Sequence, residues 1–292
     1  MKREEVYLGA RDYKSLRKKT VGIVGVGALG CSHLLLLSRM GVRSFVIVDR
    51  DVVAEENLST QVLYGKEDVG NPKVVACKEA LLRADKELTI RGFFDHLDHA
   101  NIEGILKGVD TVLDGTDNVY TRFLLDEWCK KNKVPWIFCS VVKEEGMCKV
   151  MDEDFAISSF MNEKTDPKPC AEVGVLVSSV AFISSYAVSE AVNVLLKKEY
   201  EKRLFCFNFK KGSFTFLTTP KRDVLKGFLS GEKEKKVVSL CGGSEFLIYK
   251  SSPSKKGIRV AEEFTDFGDK VIVRAKSLKE AKAKYNRFIG ER

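Results

Sequence analysis

The run Gly25-Val26-Gly27-Ala28-Leu29-Gly30 is where this sequence first shows chemistry. It follows a short apolar β-branched stretch, Thr20–Val26, and opens a helical pattern that runs to Met40. Gly25 allows a tight bend, Gly27 lets a phosphate approach the backbone, and Gly30 lets helix and strand pack closely. The amino end of the helix then offers unpaired N–H groups and the positive end of a dipole to an anion. Asp49 closes the next strand-like run, about twenty residues on, which is the spacing of an acid that accepts from a ribose hydroxyl. Asn57 follows in a polar loop, Lys73 stands behind Asn71-Pro72 at the start of a helix, and Asp117 and Asn118 follow a fourth strand candidate. The glycine turn and its acid, taken alone, predict a nicotinamide-dependent dehydrogenase. One lysine, one amide and two carboxylates around that turn fit a triphosphate with Mg2+ better. The lysine would neutralise phosphate, and a carboxylate would hold the metal. Asp117 read by itself is equally a helix N-cap.

The elements that must position these residues follow from periodicity. Strand, glycine turn, helix and strand make a βαβ unit. Pro72 opens a helix to about Arg83, Leu88–Phe93 is a third strand, and Asn101–Lys107 is a short helix. Val109–Leu113 is the fourth strand, Val119–Asn132 a helix and Val134–Cys139 a fifth strand. Such alternation predicts a Rossmann-like, doubly wound α/β fold whose mostly parallel sheet is covered on both faces. Ligands then bind beyond the carboxyl ends of the strands, where Asp49, Asn57 and Asp117 fall. Past Ser140 the rhythm changes. Gly146–Met151 is a strand with no helix before it, so the sheet continues into antiparallel strands there. Asp152–Pro169 is read as a mobile crossing loop, 175–197 as a buried helix, and 203–209 and 213–217 as two further strands. Thr218–Lys236 is read as a linker. Glu245–Tyr249, Lys270–Arg274 and a helix opening at Ser277 make a small α+β module. The predicted domains are therefore 1–220 and 221–292, the second being linker and module.

Composition narrows the class. Of 292 residues, 44% are hydrophobic and 31% charged, which is enough apolar content for a sizeable core and excludes disordered and fibrous chains. The net charge of +8 is carried by the end of the chain. From Lys221 on there are 18 Lys and Arg against 10 Asp and Glu. That bias leaves nucleic acid open as a partner without favouring it. Val173–Ser189, the least polar stretch, is shorter than the ~20 residues of a bilayer span, so no membrane association is expected. No charged-then-apolar leader is present, which predicts a cytoplasmic protein with reduced thiols. The eight cysteines include no closely spaced pair, so zinc is not expected. His96 and His99, beside Asp95 and Asp98, are read as a polar loop, and Trp128 and Trp136 as core or interface.

The runs Val21-Gly-Ile-Val-Gly-Val-Gly-Ala-Leu-Gly30, Val48-Asp-Arg-Asp51, Glu56-Asn-Leu58, Gly70-Asn-Pro-Lys73, Asp114-Gly-Thr-Asp-Asn118 with Thr121-Arg122, and Cys170-Ala-Glu-Val-Gly-Val-Leu176 occur in this order. Together they resemble the ThiF/MoeB/HesA family, the prokaryotic relatives of ubiquitin-activating enzymes, over about residues 20–220. The resemblance implies an adenylyltransferase that uses ATP and Mg2+. Its substrate would be the C-terminal glycine of a small ubiquitin-like or sulfur-carrier protein ending in Gly-Gly. Carried over by position, Gly25, Gly27, Ala28 and Gly30 would cradle the nucleotide, with Asn118 beside it. Asp49 would hold the ribose, Asn57 and Lys73 would contact phosphates, and Asp117 would bind Mg2+. Lys73, Asp117 and Cys170 are the expected catalytic residues, Cys170 as a covalent acceptor of the carrier's terminus. A homodimer is also implied.

The sequence departs from the family pattern at named positions. Thr60 stands where an arginine is frequent, and Ala28 where glycine is usual. The arginine-rich N-terminal run has no clear match beyond Arg3 or Arg11, and the two zinc-binding cysteine pairs are absent. Two other functions share the fold: activation of a tRNA threonylcarbamoyl group by a dehydratase-like enzyme, and a non-catalytic scaffold.

Overall fold

The central strands are apolar at successive positions, as in Phe45-Val46-Ile47-Val48, so both faces of the sheet must be covered. The computed structural model describes residues 3–162, 173–230, 245–249, 259–261, 264–266, 270–274 and 284. Two short helices, α1 (Arg3–Leu8) and α2 (Ala10–Leu16), precede the sheet. Strands β1 (Thr20–Val24), β2 (Ser44–Asp49), β3 (Thr89–Phe94), β4 (Thr111–Asp114) and β5 (Trp136–Val142) are parallel. Strands β6 (Glu145–Met151), β7 (Leu204–Asn208) and β8 (Ser213–Leu217) extend the sheet antiparallel. The order is β3-β2-β1-β4-β5-β6-β7-β8. The winding reverses between β1 and β4, the position at which such sheets bind ligands.

On β2, Phe45 and Ile47 face one layer while Val46 and Val48 face the other, and on β5 Ile137 and Cys139 oppose Trp136 and Phe138. The first layer holds α3 (Ala28–Met40), α4 (Lys73–Ala84) and α7 (Val177–Leu195); the second holds α5 (Ile102–Leu106) and α6 (Val119–Asn132). Helix α3 buries Leu34 and Leu37 completely. At about 2 kcal/mol for each buried leucine, they outweigh the roughly 1 kcal/mol that Gly30 costs a helix relative to alanine. Gly41, at φ 113°, ends α3 in the left-handed region, and its N–H returns to Ser38 O. Helix α7 buries Val180, Ile183, Ala187 and Ala191 at helical spacing. The apolar stretch is thus a core helix, and no helix among the described residues is long and apolar enough to cross a membrane.

Three segments differ from the sequence expectation. The first part of the stretch read as a crossing loop is packed: Ala156 and Ile157 are fully buried, and the Ile157 N–H donates to Asp126 Oδ2 at 3.0 Å. Residues 163–169 lie outside the described residues. The stretch read as a linker begins by docking on α6, where Phe228 stacks on Phe123 at 5.3 Å. There the Glu127 carboxylate accepts the N–H groups of Phe228 and Leu229 at 2.8 and 2.9 Å. Hydrogen bonds to a carboxylate replace a regular ladder, so no periodicity announces this anchor. Near the end of the chain, β9 (Glu245–Tyr249) and β12 (Lys270–Arg274) match the expected strands. Two short strands between them, β10 (Arg259–Ala261) and β11 (Phe264–Asp266), complete a four-stranded antiparallel sheet in the order β10-β11-β12-β9. The helix expected from Ser277 lies outside the described residues apart from Lys284.

Candidate functional site

The glycine turn leaves β1 at Gly25, whose φ of 83° is in the left-handed region. Its tightness comes from missing side chains. A Cβ on Gly30 would sit 2.0 Å from Gly25 O, and one on Gly115 would sit 2.2 Å from the same oxygen. The turn at the head of α3 and the loop after β4 therefore pack backbone against backbone. Gly115 N–H donates to Val24 O at 2.8 Å and Gly25 N–H to Val48 O at 2.9 Å, which ties β1, β2 and β4 together at this end.

Asp49, at the carboxyl end of β2, braces the turn. One carboxylate oxygen accepts the Val26 N–H at 2.7 Å, and the other accepts the Asp51 N–H at 2.8 Å. Burial raises its pKa above the usual carboxylate value, reinforced by Asp51 and opposed by Lys73. Lys73 begins α4, with its N–H on Asp51 O at 2.9 Å and its ammonium on Asp51 Oδ2 at 3.1 Å. Its side chain is only 8% exposed, whereas that of Asp51 is 35% exposed. Burial needs a partner for the cation, and Asp51 supplies it. Asn57 sits in a single turn of 3-10 helix, 55–59, and its Oδ1 accepts the Ala54 N–H at 3.0 Å. Tyr64 closes the floor by donating its hydroxyl to Val26 O at 2.6 Å.

The loop after β4 carries Asp117. Behind it, the Arg122 guanidinium donates to Asp114 Oδ2 at 2.7 Å, to Thr116 O at 2.6 Å and to Cys139 O at 3.1 Å. Asp114 is fully buried, and its second oxygen accepts both the N–H and the hydroxyl of Thr116 at 2.8 Å. Burial raises the Asp114 pKa, against the pull of Arg122. Asn118, rather than Asp117, is the N-cap of α6, with its Oδ1 accepting the Thr121 N–H at 3.0 Å. The side-chain oxygen one residue later reaches the first turn of the helix, which leaves the Asp117 carboxylate out of the cap.

The structure thus brings Gly25, Gly27, Ala28, Gly30, Asp49, Asn57, Lys73, Asp117 and Asn118 to one end of the sheet, at its switch point. Cys170 lies outside the described residues. The chain following it is held at the same end: Lys143, in the turn between β5 and β6, receives the Leu176 N–H at 3.0 Å and donates to Gly174 O at 2.9 Å. Among the described residues no three His, Cys, Asp and Glu side chains gather as a metal cage. A single carboxylate at Asp117 suits Mg2+, which keeps waters and substrate phosphates as its other ligands. A separate cavity of about 270 Å3, lined by Trp136, Met151, Lys130 and Lys202, lies at the amino end of β5, away from the glycine turn. Sequence reasoning gave no role to Asp51, Arg122, Tyr64 or Gln61. The signals available were the pairing of Asp114 with a basic residue eight positions on, and a tyrosine and a glutamine within the otherwise polar loop after Asn57.

A sequence model of the ThiF family matches residues 2–226. The chain belongs to the ThiF family. Among curated relatives, the probable adenylyltransferase/sulfurtransferase MoeZ of Mycobacterium tuberculosis is 32% identical over 197 residues, which cover 64% of this chain and 50% of that protein. The chain therefore spans about half the length of that relative. The SAMP-activating enzyme E1 of Haloferax volcanii is 28% identical over 74% of this chain and 81% of its own length. The molybdopterin-synthase adenylyltransferase of Escherichia coli is 31% identical over 62% and 75%. Among solved structures, E. coli MccB with ATP superposes with a TM-score of 0.64 at 15% identity, covering 74% of this chain and 68% of that one. This likeness places the ThiF fold on structural as well as sequence grounds.

The ion pair behind the Asp117 loop yields a direct test. Arg122→Met leaves Asp114 buried without its cation, and urea denaturation at neutral pH should show a loss of about 3–5 kcal/mol. The double variant Arg122→Met with Asp114→Leu should recover part of that loss. Equal stability of wild type and Arg122→Met would show that the pair holds nothing in place.

Proposed function

We propose that this chain activates the C-terminal glycine of a small ubiquitin-like or sulfur-carrier protein by ATP-dependent adenylation. The observation that carries this reading is the set of groups around one open helix end. The backbone of the glycine turn, the Lys73 ammonium and the loop that carries Asp117 lie at the switch point of the sheet. The relatives' names add support, since the molybdopterin-synthase enzyme is an adenylyltransferase and the archaeal one activates SAMP.

The chemistry joins two anions. A carboxylate oxygen of the carrier attacks the α-phosphorus of ATP. The bond from that phosphorus to the bridging oxygen breaks, pyrophosphate leaves, and an acyl-adenylate remains. Catalysis of such a step is mostly alignment and charge stabilisation. Lys73 supplies a buried cation whose position is set by Asp51, and the amino end of α3 supplies N–H donors. Asn57 has its oxygen occupied by Ala54, which leaves its amide NH2 as the donor for a phosphate. Asp49 accepts two backbone N–H groups and keeps lone pairs for a ribose hydroxyl. Mg2+, held by Asp117, would screen the triphosphate charge. Cys170 is the proposed acceptor of the activated terminus, its thiolate attacking the acyl carbon as AMP leaves; it stands four positions before Gly174, where Lys143 holds the chain at this end of the sheet.

A homodimer completes the proposal. Phe214 and Phe216 on the edge strand β8 are 55% and 40% exposed, and Leu176 and Val177 at the start of α7 are 52% and 46% exposed. Phe182 of α7 packs on Phe214 at 5.7 Å, so the helix and the strand share one aromatic surface. An exposed apolar edge of this kind is ordinarily covered.

Three outcomes are expected. By titration calorimetry, Lys73→Ala should weaken ATP at least about tenfold, the scale of one charged hydrogen bond; NAD binding without ATP binding in the wild type would return the dehydrogenase reading. In ATP–pyrophosphate exchange with a carrier ending in Gly-Gly, Cys170→Ser should keep exchange but lose the thiol-sensitive carrier adduct seen by mass spectrometry. An adduct unchanged in that variant removes Cys170 from the mechanism. Light scattering should give twice the chain mass of 32.7 kDa, and a stable particle of that mass itself would refute the dimer.

A further inference from the structure

The residues from Lys221 to Leu229 cross the second helical layer as a strap, with no regular structure of their own. Lys221 Nζ pairs with Asp154 Oδ1 at 2.9 Å. Arg222 and Asp223 bracket Ser158. The guanidinium donates to Ser158 O at 3.2 Å, and the Ser158 hydroxyl donates to Asp223 O at 3.1 Å. At the far end the Glu127 carboxylate gathers successive backbone N–H groups, those of Gly227, Phe228 and Leu229, at 3.4, 2.8 and 2.9 Å. Backbone donors outside a ladder need acceptors, and a charged oxygen makes the strong bonds. The family match ends at residue 226, so Phe228 and Leu229 lie beyond it.

Phe228 is buried, and its ring stacks on Phe123 at 5.3 Å and 14°. It also meets the Tyr120 ring at 5.5 Å, and the Tyr120 hydroxyl reaches Phe228 O at 3.5 Å. Tyr120, Phe123 and Glu127 stand at i, i+3 and i+7 of α6, one stripe along one side of the helix. That stripe begins in the first turn, at the third residue after Asp117. Arg122 leaves the same turn on another side, toward Asp114, Thr116 O and Cys139 O. The first turn of α6 is thus gripped twice, by the buried ion pair on the sheet side and by Phe228 on the outer side. The loop 115–118 is tied to that turn and to nothing softer. Thr116 O accepts from Arg122, and Asn118 Oδ1 accepts the Thr121 N–H. A tilt of the turn therefore moves the loop that carries Asp117.

We propose that Phe228 is a positioning residue for the candidate adenylation site: the strap that Glu127 fastens lays its ring on the outer face of the first turn of α6 and so holds the loop that carries Asp117. This rests on the ATP-binding reading above and adds a residue to it. Phe228 touches no nucleotide in this account. It acts through Tyr120 and Phe123, and Glu127 acts by fixing the backbone on which the ring is carried. The segment after β8 is then a working part of the nucleotide-binding unit, and the unit extends past residue 220 to Leu229.

The test compares the full chain with Phe228→Ala by two measurements. In hydrogen exchange without ligand, the amides of Gly115, Thr116, Thr121 and Arg122 should exchange faster in the variant, while those of β2 keep the wild-type rate. In titration calorimetry, ATP is bound once with Mg2+ and once in EDTA. The ratio of the two affinities should fall about tenfold in the variant, the low end of the loss when a group behind a metal ligand is removed. ATP affinity in EDTA should stay within about twofold of wild type. A residue that only stabilises the fold would quicken exchange in β2 as much as in the loop and leave the affinity ratio unchanged. Should Phe228→Ala melt too early for binding to be measured, Phe228→Leu, which fills the space without a ring to stack, is read by the same criteria. ATP binding with an unchanged Mg2+ ratio, or exchange that quickens everywhere alike, overturns the assignment and leaves the nucleotide reading standing. A wild type that binds no ATP overturns that reading, and the assignment falls with it.

Discussion

Three stretches of backbone meet at the end of β1 in a space that admits no Cβ. Gly25 O lies 2.0 Å from where a Gly30 side chain would begin and 2.2 Å from that of Gly115. That contact joins two parts of the candidate site. It sets the first turn of α3 against the end of β1, and it sets the loop carrying Asp117 against the glycine turn. The glycine turn and the loop that carries Asp117 are therefore packed backbone to backbone, although about ninety residues of sequence separate them. A Cβ at either position would force the two loops apart, because backbone has no alternative rotamer to offer.

Around this unit the chain spends ions in places where water is scarce. An ionised group taken from water costs several kcal/mol unless it is paired, and even a well-made buried pair adds little net stability. Asp114, Arg122 and Lys73 are nonetheless buried, and Asp49 is half-buried. What the pairs provide is direction. Asp49 holds two backbone N–H groups in the conformation the turn needs. Arg122 fixes the carbonyl of Thr116 on one side of Asp117, and Asn118 fixes the first turn of α6 on the other. Lys73 is different in kind. Its ammonium is deeply buried while its partner Asp51 reaches the surface, so an incoming phosphate can share the cation and leave the carboxylate to water.

The fold could be read from sequence wherever periodicity carried it. The alternation of Phe45 and Ile47 with Val46 and Val48 defines a strand buried on both faces, and the glycine turn followed by Asp49 defines the first βαβ unit. Of the candidate residues, Asp49, Lys73 and Asn118 stand at the ends of elements whose period is plain, while Asn57 lies in a polar loop where only the family resemblance singles it out. What stayed hidden was held by contacts distant in sequence. The anchor of 227–229 on Glu127 spans about a hundred residues and leaves no pattern. Ile157 is buried by a hydrogen bond to Asp126 in a stretch whose composition is that of a loop.

The antiparallel extension gives the sheet a second role. Purely parallel sheets are covered on both faces by their crossover helices, and here that rule holds through β5. Strands β5 and β6, and β7 and β8, are joined by turns, and the helix between antiparallel β6 and β7 is α7, which covers one face of the extension while β8 is exposed along its whole length. Helix α7 is consequently in contact with two different regions. Just before its first residue, the Leu176 N–H donates to Lys143 O at the carboxyl end of β5. One turn on, Phe182 packs among Phe207, Phe209 and Phe214 on the exposed extension. The first turns of one helix are therefore fixed from two sides, by the Lys143 backbone at the carboxyl end of β5 and by the aromatic side chains of the antiparallel extension.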